Sequence, residues 1–158
     1  MMLNWLNRLK KSTVLGCLIA GLSFASSSVY AEEAHEHPID IKTQTCLDNN
    51  YQTNEKMKGC SLQAYEDWDA ELNKVYKAIK KSELDAKVKK QIKQAQRKWL
   101  TYRDAEFKAI DAIYDGLSEK RGGGTMWGLL AADAKVEIVK NRVLVLSGYL
   151  QDSQAALK

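Results

Sequence analysis

Histidine is scarce in this chain: 158 residues hold two, His35 and His37, both beside the only proline, Pro38. With none elsewhere, no Ser, His and acid set can be assembled in the body of the chain, which removes triad-type nucleophilic catalysis. The sequence contains no HExxH, no CxxC pair, no Walker sequence and no GxGxxG. The ligands for metal hydrolysis, phosphate cradling and dinucleotide binding are therefore missing. His35-Glu36-His37 sets two imidazoles one residue apart in an unpatterned segment, too weak a pair to hold an ion, so no metal and no cofactor is expected. No apolar run reaches the roughly 20 residues of a bilayer crossing. No window alternates with the period of two that marks a half-buried strand.

Cysteine is nearly as rare, three in all, and the compartment decides what they do. Arg8, Lys10 and Lys11 form a basic start, Val14 to Ala25 is an apolar run, and Val29-Tyr30-Ala31 is a small-residue cleavage site. That pattern predicts a signal peptide over residues 1–31, cleaved after Ala31, and a periplasmic or secreted protein. Val14-Leu15-Gly16-Cys17 resembles a lipoprotein box, but Cys17 would precede most of its own apolar core, which argues against lipidation. Without residues 1–31 the chain keeps 21 basic and 20 acidic residues, net +1, and its cysteines reduce to the pair Cys46 and Cys60. An oxidising compartment favours a disulfide between them over two free thiols. Closing a loop of about 15 residues contributes on the order of 3 kcal/mol.

About 127 residues remain, enough for one core. Residues 32–44 are acidic and lack apolar periodicity, so they read as a disordered tail. Residues 45–150 read as one helical domain and 151–158 as a C-terminal tail. Leu62, Tyr65, Trp68 or Asp69, Leu72, Tyr76 and Ile79 recur at steps of three and four, predicting a helix from about Thr53 to Lys80. Ser82 followed by Asp85 resembles a capping box opening a second helix of over 30 residues, with Leu84, Val88, Ile92, Ala95, Trp99, Tyr102, Ile110 and Ile113 on one face. Gly116 and Gly122-Gly123-Gly124 end it, and Thr125 caps a third helix to about Tyr149. The third helix carries the stripe Leu129, Ala132, Val136, Val139, Val143, Leu146 and Leu150 beside a second one, Leu130, Ala134, Ile138 and Val145, and is expected to be the most buried element. The fold class is all-α: an antiparallel, up-down-up three-helix bundle with a disulfide-stapled N-terminal segment.

Within the second helix, Gln96, Trp99, Arg103 and Glu106 share one face, a polar seam that demands pairing of its charges. Asp104 and Glu106 are two apart and diverge, so they make no glycosidase pair; ion pairs with Arg103 or Arg142 are expected instead. Gly122-Gly123-Gly124-Thr125 reads as an interhelical turn that could also offer backbone N–H groups to an anion. Glu66, Asp67, Asp69 and Glu71 read as a solvated face. Lys80, Lys81, Lys87, Lys89, Lys90, Lys93 and Lys98 make the start of the second helix basic, suited to lipid headgroups or anionic polymers. Without arginine clusters or interleaved aromatics it does not read as a nucleic-acid site.

Cys46 and Cys60, then Asp69 to Tyr76 with Asn73, then Gln96-Arg97-Lys98-Trp99 with Arg103-Asp104-Ala105-Glu106, the triple glycine, and Arg142 with Leu146 together resemble the LprI-type lysozyme inhibitor domain over about residues 46–147. The resemblance implies an exported, cysteine-bridged, helical, non-catalytic domain, a family-motif seam of Asn73, Tyr76, Gln96, Trp99, Arg103, Asp104, Glu106 and Arg142, and lysozyme as partner. A protruding loop plugging the lysozyme cleft would use Ser118, Gly122, Gly123, Gly124 and Thr125. The alternative is an envelope adaptor binding another protein or an anionic polymer. Family members usually carry a second cysteine pair where this chain has Phe107 and Ala134; a large residue against a small one predicts that these two pack together.

Overall fold

A computed structural model describes residues 36–156. The segment read as a signal peptide, with Cys17, and His35 lie outside the described residues. Four helices follow one another: α1 (Pro38–Asn50), α2 (Asn54–Lys81), α3 (Ala86–Lys120) and α4 (Met126–Ala155). The all-helical expectation holds among the described residues, but there are four helices where periodicity predicted three.

The additional helix occupies most of the segment read as a disordered tail. Helix α1 starts because Pro38 fits the first helical position and His37 Nδ1 accepts from the Ile39 N–H at 3.2 Å. It buries none of its own residues, so it leaves no apolar periodicity to read. Specific tethers hold it. The Cys46–Cys60 disulfide fastens it to α2, Lys42 Nζ donates to Asp67 at 2.6 Å, and Lys140 Nζ from α4 donates to Asp40 at 2.8 Å. The His37 ring lies 4.4 Å from the Trp68 ring, centroid to centroid. At the other end, α4 runs to Ala155, so helix replaces most of the expected C-terminal tail.

Paired side chains fix the topology. Asn54 meets Thr125, Ser61 meets Asp133 and Lys140 lies over Trp68, a constant offset that makes α2 and α4 parallel. Asp111 pairs with Lys135 and Gln96 with Arg142, so α3 runs antiparallel to α4. The up-down-up order of the three long helices is therefore present, with α1 antiparallel to α2.

The core lies mainly between α2 and α4. Ala64, Trp68, Leu72, Val75 and Ile79 from α2 pack with Val136, Val139, Val143 and Leu146 from α4. Trp68, Val139 and Leu146 have no exposed surface at all. The predicted α4 stripe is buried from Ala132 to Leu146, yet α2 holds seven buried residues to five on α4, reversing the expected order. Each of the two packs against two neighbours, α2 against α1 and α4, and α4 against α2 and α3; α2 gains its extra buried positions at Cys60 and Ser61, beside the disulfide to α1. Helix α3 is the outlier. At 35 residues it is about 50 Å long, and only Gln96 and Ile110 are buried on it. Much of its predicted apolar face points to solvent, with Tyr102 51% and Ile113 58% exposed.

Two predicted caps are reassigned. Ser82 closes α2, its hydroxyl donating to the Ile79 carbonyl, while Asp85 alone opens α3 by accepting from the Lys87 N–H. Thr125 sits at the α4 start without a side-chain capping bond; its hydroxyl accepts from Asn54 instead. Gly116 lies inside α3 and does not end it.

Candidate functional site

Two separate places collect the residues singled out by the sequence. The first is the seam where α3 crosses α2 and α4. Gln96 is 7% exposed, and its Oε1 accepts from Arg142 Nε at 2.9 Å. Arg142 lies 5.8 Å and Arg103 5.7 Å from the centroid of the Trp99 ring, so two guanidinium groups share one indole. Arg103 donates to Asp104 at 2.7 and 3.0 Å and stands 3.9 Å from Asp69 on α2. Asn73 Nδ2 donates to the Asp69 carbonyl at 2.8 Å and to its carboxylate at 3.1 Å, joining the cluster from outside. Periodicity explains the convergence: positions 96, 99, 103 and 106 lie on one helical face, and α3 turns that face inward.

The expected Arg103–Asp104 ion pair is present, whereas Arg142 takes an amide partner in place of a carboxylate. Its Nη2 is buried without a hydrogen-bond partner among the described residues. Burial pushes the Arg142 guanidinium below its ordinary pKa, partly offset by the nearby Tyr149. Glu106 is half-buried, with no ion pair among the described residues. Tyr76 packs against the core between α2 and α4, with Lys80 Nζ 5.3 Å over its ring. Phe107 meets Tyr65 of α2 edge-on, centroids 5.8 Å apart, and lies under Lys135, the residue after half-buried Ala134. These contacts make the seam a clamp between three helices.

The second place is the turn from α3 to α4. Gly122, Gly123 and Gly124 have φ of +81°, +85° and +119°, a run that side chains rarely adopt. The Gly123 N–H donates to the Ser118 carbonyl at 2.7 Å, the long-range bond of a Schellman ending, and the Arg121 N–H caps the same turn. Residues 119 to 125 are exposed and Ser118 is half-buried. Fifteen residues of α3 separate Ser118 from Arg103, about 22 Å, so the turn and the seam are not one site.

Sequence reading missed the α1 contacts, since His37 and Asp40 lie far in the chain from their partners Trp68 and Lys140 and share no motif with them. The acidic stretch was also misjudged as a solvated face: Asp67, Asp69 and Glu71 pair with Lys42, Arg103 and Lys74. Among the described residues, no three His, Cys, Asp or Glu side chains gather as a metal site, and no helix is long and apolar enough to cross a membrane.

A disulfide-stapled helical domain with an internal cation–indole clamp and a glycine-built turn is the class of protein these features define. The family described as "Lysozyme inhibitor LprI" matches residues 46–146, and the chain belongs to that family. Among solved structures, the crystal structure of an uncharacterized protein from Burkholderia thailandensis is similar, with 25% identity and a TM-score of 0.65. The match covers 75% of this chain and 56% of that one, so the chain spans little more than half the length of that protein. Comparison with curated proteins finds no match.

Proposed function

We propose that this protein is an exported, non-catalytic inhibitor that binds lysozyme and blocks its cleft with the turn at Ser118 to Thr125. The carrying observation is that turn: exposed, bonded back onto the end of α3, and presented at one end of the bundle by two long helices. A lysozyme cleft accommodates a sugar chain between two carboxylates, so a narrow protrusion bearing N–H and hydroxyl groups suits it by shape and by donor chemistry. Holding the turn in place beforehand lowers the ordering cost of binding. Family membership supports the reading, and so does the seam, where Arg103 pairs with Asp104 and Arg142 bonds Gln96 across helices, contacts that serve packing.

The test is a cell-wall clearing assay with the purified protein. The expected result is slowed digestion, weakened at least tenfold by Gly123→Trp, a variant that still melts cooperatively at a temperature lowered by a few degrees through the strain of a side chain at φ +85°. No slowing at tens of micromolar, a concentration that would saturate most specific interfaces, rejects the proposal.

A further inference from the structure

We propose that the end of the bundle opposite the glycine turn is a docking surface for an anionic lipid bilayer. Residues 77–98, from the last turn of α2 through the first turns of α3, contain nine Lys and Arg against two Asp and Glu, net +7. The rest of the described chain, 36–76 and 99–156, holds 11 basic and 16 acidic residues, net −5. Charge is thus segregated along the molecule. None of those nine cations is in an ion pair among the described residues, whereas Lys42, Lys74, Arg103, Lys135 and Lys140 all are. Of the two acids at this end, Asp85 is engaged in capping α3.

Charge alone would fit any polyanion; the neighbouring apolar side chains favour lipid. Val88, between Lys87 and Lys89, is 42% exposed. The antiparallel register set by Gln96 and Arg142 brings the last turns of α4 alongside the first turns of α3. There Leu144, Val145 and Tyr149 are 48%, 44% and 49% exposed. Lysines beside exposed aliphatics and a tyrosine match a headgroup layer, where cations meet phosphate while apolar groups enter the acyl boundary. A soluble polyanion gives those apolar groups nothing to bury. Docked this way, the protein would point its glycine turn away from the membrane, although the lipid contact does not depend on what the turn binds.

The experiment is vesicle co-sedimentation of the 32–158 chain, which holds every described residue and omits the apolar run of 14–25. Vesicles are phosphatidylglycerol mixed with phosphatidylcholine, or phosphatidylcholine alone. The expected result is binding to the anionic vesicles only, lost as salt is raised from about 50 to about 500 mM. Lys87→Gln/Lys90→Gln/Lys93→Gln should lower the partition coefficient about a hundredfold. Val88→Ser/Tyr149→Ser should lower it severalfold with charge unchanged. All five side chains are exposed, and unchanged melting curves confirm that each variant folds. Equal binding to phosphatidylcholine, or an unaffected triple variant, overturns the proposal. Full competition by soluble polyphosphate, with Val88→Ser/Tyr149→Ser neutral, assigns the surface to a soluble polyanion and overturns the lipid assignment.

Discussion

Arg142 on α4 donates from Nε to Gln96 Oε1 on α3 at 2.9 Å, the one hydrogen bond by which a nearly buried amide holds a partly desolvated guanidinium. The cation has no carboxylate partner, and its Nη2 is unpaired among the described residues. Gln96→Leu should therefore cost about 1–3 kcal/mol, because it strands a second donor of the same group. In the double variant Gln96→Leu/Arg142→Met most of that loss should return, since removing both partners leaves nothing unsatisfied. Chemical denaturation of the four members of this cycle measures the coupling. The guanidinium stays charged at every accessible pH, so the cost should not vary between pH 5 and 9.

The disulfide should be worth about 3 kcal/mol in global stability, and its loss should be felt first in α1. That helix buries no residue of its own and is otherwise held by two ion pairs, a ring contact and half-buried Ile39 packed against the core. Cys46→Ser/Cys60→Ser should raise amide exchange over residues 38–50 well before exchange rises in α4. Equal protection of α1 in both proteins would show that the other tethers suffice.

Trp68 and Ile113 are large apolar residues on two long helices, and sequence pattern gives both the same standing. Trp68 has no exposed surface and Ile113 is 58% exposed. Trp68→Ala should destabilise by about 3–5 kcal/mol, and Ile113→Ala by less than about 0.5 kcal/mol. Thermal melts of the pair decide whether the core lies between α2 and α4 or extends along all of α3.

Gly122 ends α3 with φ +81° and open space where a Cβ would stand. Gly122→Ala should cost about 1 kcal/mol through backbone strain alone, with no repacking elsewhere. A change in melting temperature of several degrees without a change in the seam resonances would be the expected signature.

The seam was legible because its members lie on one continuous helix, where spacing of three and four translates directly into a shared face. The stripe from Ala132 to Leu146 was legible for the same reason. Ser82 misled because serine satisfies orphan backbone groups at either end of a helix, and only the chain path shows which. Helix α1 was illegible for a deeper reason: its stability rests on contacts to residues 14 to 100 positions away, none of which leaves a periodic trace.

By itself the sequence determined the helical class and the inward face of the seam, because each follows from local spacing, and it pointed to the pairing of Cys46 with Cys60 once Cys17 is set aside with the apolar leader. Tertiary structure alone decided that a fourth helix forms, that α2 and α4 rather than α3 close the core, and that Arg142 answers to an amide. Those outcomes depend on which surfaces meet, and burial is a property of the pair of surfaces, never of one strip of sequence.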